Sequence, residues 1–288
     1  MKSNINRVKW LAALAAALIA GGLVIHAAGD RGQTKPTDQQ ASNTQKPPET
    51  QKPTEQPSSP EASENQPDMP SWAMDNLLER TIRASGDGLA VVTNPSSIYV
   101  LVNKSRNLPS SYIPNDLVVP NVAFSFSGDS PKKKMRKEAA TALEELFEGA
   151  GKAGIKLKAV SGYRSYATQK ALFENYSKKH GEDAANRFSA HPGQSEHQTG
   201  LAMDISSASA GYDLVESFGE TEEGRWLAAH AAEYGFIIRY PKGKEKITGY
   251  QYEPWHVRYI GKEAAADVVR SKLTFEEFFG ALEASAAK

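Results

Sequence analysis

The chain has 288 residues, with 34 basic and 34 acidic side chains, 40% hydrophobic residues and no cysteine. Without cysteine there can be no disulfide, thiolate zinc site, iron–sulfur cluster, cysteine nucleophile or lipidated-cysteine anchor. A net charge of zero argues against a general polyanion binder, so no nucleic-acid partner is expected.

Three regions differ in character. Residues 1–29 open on Lys2, Arg7 and Lys9, hold no acidic residue before Asp30, and are apolar from Trp10 to Ala28 apart from His26. That is the pattern of a signal peptide or an uncleaved N-terminal anchor, the membrane being a partner in the second case. The apolar run is just long enough to span a bilayer. Residues 30–70 hold eight of the sixteen prolines and no Leu, Ile, Val, Phe, Tyr or Trp. With no apolar surface to offset the entropy of ordering, this stretch reads as a disordered, Pro-rich linker. By region the charge is +3 before Asp30, −3 over residues 30–70, and 27 against 27 in residues 71–288. The last region is large enough for a substantial core.

Within residues 71–288 the elements follow from periodicity. Trp72, Leu77, Leu78 and Ile82 predict a helix over Ser71–Ser85, closed by Gly86 and Gly88. A short strand at Ile98–Asn103 and a loop over Asn107–Asn121 come next. Helices are predicted at Lys134–Ala153, Thr168–Lys179, Glu222–Tyr234, Lys262–Leu273 and Thr274–Ala284. Strands are predicted at Lys156–Ser161, Leu201–Ser206, Phe236–Arg239 and Tyr250–Arg258, with Gly235 as a helix stop. Without regular βαβ alternation, the fold class is α+β, a small antiparallel sheet with flanking helices.

Three segments carry the chemistry. In Ser195-Glu196-His197-Gln198-Thr199-Gly200-Leu201-Ala202-Met203-Asp204, alternation puts Leu201, Met203 and Ile205 on the core face and Asp204 on the other. A turn at Thr199–Gly200 brings His197 back beside Asp204, the start of a zinc or other divalent site. In Tyr252-Glu253-Pro254-Trp255-His256, residues three apart face opposite sides of a regular strand, but Pro254 disturbs that regularity and can turn Glu253 and His256 into one cleft. His256 then offers a third ligand, and Glu253 a base for water at the open fourth position. The helical H-E-x-x-H motif is absent. In Ser161-Gly162-Tyr163-Arg164-Ser165-Tyr166-Ala167-Thr168-Gln169, Arg164 could stabilise an oxyanion or hold a carboxylate, and Gln169 could bind a peptide group. Taken alone, a surface ion pair and a solvated glutamine are the plainer reading of that segment.

Together, S-x-H-x6-D, then E-x-W-H, preceded by S-G-Y-R-S-x-x-x-Q, resemble the zinc D,D-carboxypeptidases of the VanY type, peptidoglycan peptidases that share their fold with the Hedgehog signalling domain. The resemblance runs from about Ile98 to Leu273 and includes Leu101-Val102-Asn103-Lys104, Leu108-Pro109, Tyr112, Pro114 and Asp116-Leu117-Val118. It implies Zn2+ held by His197, Asp204 and His256, Glu253 as catalytic base, and Arg164 near the developing oxyanion and the substrate carboxylate. It also implies Gln169 and Ser195 in the substrate cleft, and Tyr163, which flanks the motif, is a further candidate for its wall. The implied substrate is the peptidoglycan stem peptide, from which the C-terminal D-alanine is hydrolysed. An exported, extracytoplasmic domain in the cell envelope, secreted or membrane-anchored, would meet that substrate.

Rival readings share the site or the fold. An L,D-carboxypeptidase or a peptidoglycan endopeptidase would use the same constellation, and a noncatalytic wall-binding module would keep only the fold. Glu253 speaks against the last, since a structural metal site needs no base. Of the other histidines, His191 reads as a cleft-rim or structural residue, His180 sits at a helix end and His230 within a helix. The basic run Lys132-Lys133-Lys134 reads as a solvated surface.

Overall fold

The computed structural model describes residues 71–86 and 88–287. The expected export segment, residues 1–29, and the linker, residues 30–70, lie outside them. Among the described residues no helix is long and apolar enough to cross a membrane.

The first predicted helix is cut short. Helix α1 (Ser71–Met74) is followed by a 3-10 turn at Glu79–Thr81 and strand β1 (Ile82–Ala84), which pairs antiparallel with β2 (Ala90–Val92). The reason lies in Asn76. Its Nδ2 donates to the Trp72 carbonyl at 2.6 Å, which the next helical turn would have used, and its Oδ1 accepts from Asn94 and Ser97. Of the apolar residues on which that helix was predicted, Leu77 is buried, Trp72 and Leu78 are partly buried against the cluster that holds Phe275 and Phe279, and Ile82 is exposed. Nor does Ile98–Asn103 form a strand with a ladder. The carbonyls of Ile98 and Val100 accept from Arg258 Nη2, and that of Leu101 from Arg106 Nε, so arginine side chains satisfy a buried backbone.

Inside the predicted loop, β3 (Leu117–Val118) pairs with β4 (Met135–Arg136). Because Met135 and Arg136 are held in extended pairing, helix α2 (Lys137–Lys152) starts later than periodicity suggested. It buries Ala139, Leu143, Leu146 and Ala150 at 3–4 spacing. Full burial of a leucine is worth about 1.5–3 kcal/mol, so Leu143 and Leu146, both at 0% exposure, anchor this helix. Next come β5 (Lys158–Ser161), α3 (Tyr166–His180), α4 (Glu182–Phe188) and β6 (Ala202–Ser206). The C-terminal part adds α5 (Glu222–His230), β7 (Phe236–Tyr240), α6 (Glu245–Thr248), β8 (Glu253–Tyr259), α7 (Lys262–Ser271) and α8 (Phe275–Ala286). Gly235, at φ 84°, ends the helical run before β7.

The main sheet is antiparallel, in the order β5-β6-β8-β7. Its inner face sets Met203 opposite Val257 and packs them, with Ala159 and Ile205, against α2 and Leu227 of α5. A second cluster joins Ile237, Ile260 and Val268 to Phe275 and Phe279 of α8. By the period of two, the pair next to Met203 and Val257 faces the other way. That pair is Asp204 opposite His256.

Candidate active site

Three segments deliver the site to the outer face of the sheet. His197 lies in a 3-10 turn, Glu196–Thr199, that ends in Gly200 at φ 69°, left-handed backbone. A Cβ on Gly200 would stand 2.9 Å from Leu117 Cδ2 and 3.0 Å from Arg136 Cγ at a left-handed φ, so glycine makes this tight return into β6 at least cost. The return places His197 Nε2 at 3.3 Å from Asp204 Oδ2. On the neighbouring strand, His256 Nδ1 lies 2.9 Å from Asp204 Oδ1.

Strand β8 brings in Glu253. Ile238 pairs with Val257, yet Tyr240 pairs with Glu253, so β8 carries extra residues against β7 at Pro254–His256. This irregularity turns Glu253 and His256, three apart, to the same cleft, as Pro254 led us to expect. The cleft has a volume of about 310 Å³, and its walls include Arg164, Ser195, Tyr176, Tyr240, Tyr250 and Trp255.

The donor set fits a divalent cation. Ligand atoms of His197, Asp204 and His256 lie within 4.8 Å of one another, and all three residues are buried. Burial lowers the pKa of His197, against the pull of Asp204. Its Nδ1–H donates to the Gly162 carbonyl at 2.8 Å, so in the neutral ring that a metal requires the bare Nε2 faces a carboxylate oxygen. Two acceptors aimed at each other in a buried place are what a cation between them would satisfy, and two imidazoles with one carboxylate suit zinc.

The charges are arranged around that cluster. Burial disfavours the charged form of His256, but its hydrogen bonds to Asp204 and Glu196 outweigh burial and lift it to about 9. Burial alone would raise Asp204, yet His197 and His256 hold it well below the usual carboxylate range. Burial raises Glu253 to about 7, against the opposing pull of His256. A carboxyl at that value is poised to accept and return a proton near neutral pH.

The remaining predicted residues divide. Arg164 lines the cleft, its Nη1 donating to Gln169 Oε1 at 2.8 Å and its Nη2 lying 3.4 Å from Ser161 Oγ. Ser195 also lines it. Gln169 is only 1% exposed, and its Nε2 donates to the Ala190 carbonyl at 2.6 Å. Its amide thus joins two residues of the cleft wall, Arg164 and Ala190, while Gln169 itself is not among the residues lining the cleft. Tyr163 is buried and is not among the residues lining the cleft. His191 packs its ring on Phe173 at 4.0 Å, and His230 stacks on Trp226 and bonds Glu233, so both are structural.

The structure adds residues that the sequence reading did not single out. Glu196 is fully enclosed, its Oε1 accepting from Arg239 Nε and Arg258 Nη1, each at 2.7 Å. The two arginines hold its carboxyl ionised against burial. The available signal was Arg239 inside the otherwise apolar strand Phe236–Tyr240, and Arg258 beside Val257 in the strand Glu253–Tyr259. Tyr176, Tyr240 and Tyr250 gave no local signal, because folding alone brings them to the cleft.

The family model for VanY, D-alanyl-D-alanine carboxypeptidase, matches residues 132–262. YodJ of Bacillus subtilis (strain 168) is 55% identical over 193 residues, 67% of this chain and 71% of YodJ. The structure of the LdcB LD-carboxypeptidase, described for its peptidoglycan recognition, aligns with TM-score 0.67 at 54% identity, over 69% of this chain and 92% of that one. A mutant of the vancomycin-resistance D,D-pentapeptidase VanY, solved with Zn(II), aligns with TM-score 0.51 at 32% identity, over 62% of this chain and 97% of that one.

Proposed function

The chain belongs to the VanY family of D-alanyl-D-alanine carboxypeptidases, and from that premise we propose that it is a zinc-dependent enzyme that removes the C-terminal D-alanine from peptidoglycan stem peptides. The observation that carries this reading is the convergence of His197, Asp204 and His256 in one buried cluster, with Glu253 turned into the same cleft by the irregularity in β8.

His197, Asp204 and His256 would hold the zinc. When bound, the ion supplies Lewis acidity toward the attacking water and the scissile carbonyl. Glu253 takes the water's proton on its carboxylate and returns it to the departing amine of D-alanine, the two transfers balancing. The Arg164 guanidinium, fixed by Gln169, stays charged and attracts the substrate's terminal carboxylate or the oxyanion formed during attack. Tyr240, Tyr250 and Trp255 narrow the cleft and exclude water from the charged groups. The lead segment, residues 1–29, would export the domain to the cell envelope, where this substrate lies.

Two scissile bonds are open to this site. The 54% identity to LdcB against 32% to the VanY pentapeptidase supports L,D-cleavage, removal of a D-alanine that follows an L-configured centre. The family model supports the second reading, D,D-cleavage between two D-alanines. Incubation of zinc-loaded protein with purified stem peptides, followed by mass spectrometry, distinguishes them. Tetrapeptide shortened to tripeptide is the L,D outcome and pentapeptide shortened to tetrapeptide the D,D outcome. If zinc is bound and no D-alanine is released from either, the carboxypeptidase reading fails.

A further inference from the structure

Glu196 takes no part in the chemistry just described, yet it is among the most enclosed charges in the molecule, with a side-chain exposure of 0%. Its two oxygens serve different partners. Oε1 accepts from Arg239 Nε and Arg258 Nη1, while Oε2 faces His256 Nε2 at 3.4 Å. The arginines are equally buried and have their remaining donors fixed. Arg239 places Nη1 and Nη2 on Glu276 of α8, at 2.8 and 2.6 Å. Arg258 places Nη2 on the carbonyls of Ile98 and Val100. Glu196 therefore cannot rotate without breaking charged, buried hydrogen bonds.

The His256 ring is held just as closely. Tyr240 stacks on it at 5.0 Å and 30°, and Asp204 Oδ1 stands 2.9 Å from its Nδ1. A carboxylate can only accept, so the nitrogen that faces Glu196 must carry a hydrogen. We infer that Glu196 is a positioning residue for the metal site: it fixes the proton of His256 on Nε2 and thereby leaves Nδ1, on the Asp204 side, as the nitrogen that binds the metal. Arg239 and Arg258 neutralise Glu196 and set its distance, and Glu276 ties this arrangement to the first turn of α8.

The substitution Glu196→Gln tests this sharply. Both arginine donors point at Oε1, so the amide carbonyl takes that place and the NH2 group faces His256 Nε2. That nitrogen must then accept, and the ring proton moves to Nδ1, where it competes with the metal. Partners of this kind in metal sites are worth 10–100-fold in affinity. We expect the zinc dissociation constant, measured by chelator competition, to weaken by about that factor. Glu276→Gln serves as the control, since it disturbs the same buried ion network without touching His256, and its zinc affinity should stay within about twofold of wild type, well under that factor. Equal weakening in both variants would overturn the inference and leave Glu196 a structural residue.

A second measurement does not depend on either variant folding. In 15N-labelled wild-type protein loaded with zinc, long-range 1H–15N spectra should show His256 protonated at Nε2 and metal-bound at Nδ1. Metal bound at Nε2 would overturn the inference. The inference rests on the zinc reading of the site, and the two fail differently. Wild type that binds no zinc overturns both, whereas wild type that binds zinc while Glu196→Gln binds it equally well overturns only the role of Glu196.

Discussion

Glu253 and His256 sit three residues apart, and both are pushed toward the protonated form, for opposite reasons. Burial pushes the Glu253 carboxyl up to about 7, while Asp204 and Glu196, acting against burial, lift His256 to about 9. For the metal-free protein the sign follows directly. Glu253 is raised above its ordinary value of 4.5, so its contribution to stability is complete below pH 4.5 and is lost as the pH rises through about 7. Glu253→Gln should flatten the loss of stability between pH 5 and 8 by an amount on the order of 2 kcal/mol, read by urea unfolding of the metal-free proteins. A profile parallel to wild type would remove the argument for a buried carboxyl. In the zinc-loaded form the same variant should lower kcat by about 10²–10⁴-fold, the range for loss of a general base, with bound zinc unchanged by elemental analysis. Loss of the metal instead would make Glu253 a ligand.

Among the elements, the two that build the site do so through departures from regularity. Strand β6 begins only after the left-handed Gly200, and β8 reaches the cleft through extra residues at Pro254–His256. Gly200→Ala forces a Cβ toward Leu117 and Arg136 at a φ of 69°, and should cost about 1–3 kcal/mol by urea unfolding, with the slope unchanged. Because Gly200 sets the return of His197 onto Asp204, zinc affinity should fall as well; full stability with full affinity would show that the turn tolerates a side chain. At the other end, Thr274 and Glu277 form a capping box that starts α8 and so presents Glu276 to Arg239. The exposed helices follow their local signals closely. Two elements that local signals misassigned, Ser71–Ser85 and Ile98–Asn103, have backbone carbonyls bonded by distant or local side chains; β3 inside the predicted loop and helix α4 were missed as well.

At the scale of the whole molecule, the ligands come from the turn before β6, from β6 and from β8, so the metal would bind the folded state and scarcely the unfolded one. Free zinc at about a thousand times its dissociation constant should add about 4 kcal/mol of stability, or roughly 10 °C in Tm at this size. Chelation should lower Tm by that amount and readdition restore it, as read by calorimetry; a Tm indifferent to both would count against a metal held by three segments. The sequence by itself determined the α+β class and the main strands and helices, and it pointed to His197, Asp204, Glu253 and His256, because periodicity and motif spacing are local properties of the chain; Arg164 stood out only through the family resemblance. Only the tertiary structure decided that Gln169 is enclosed and holds Arg164, and that Tyr163 is buried off the cleft wall. It alone revealed that Glu196, Arg239, Arg258 and Glu276 form one buried charge network behind His256. Those four residues come from four separate elements, and a charge is tolerable in the core only when its partner arrives there too. Such a partnership is a property of the packed chain, and no local pattern along the sequence encodes it.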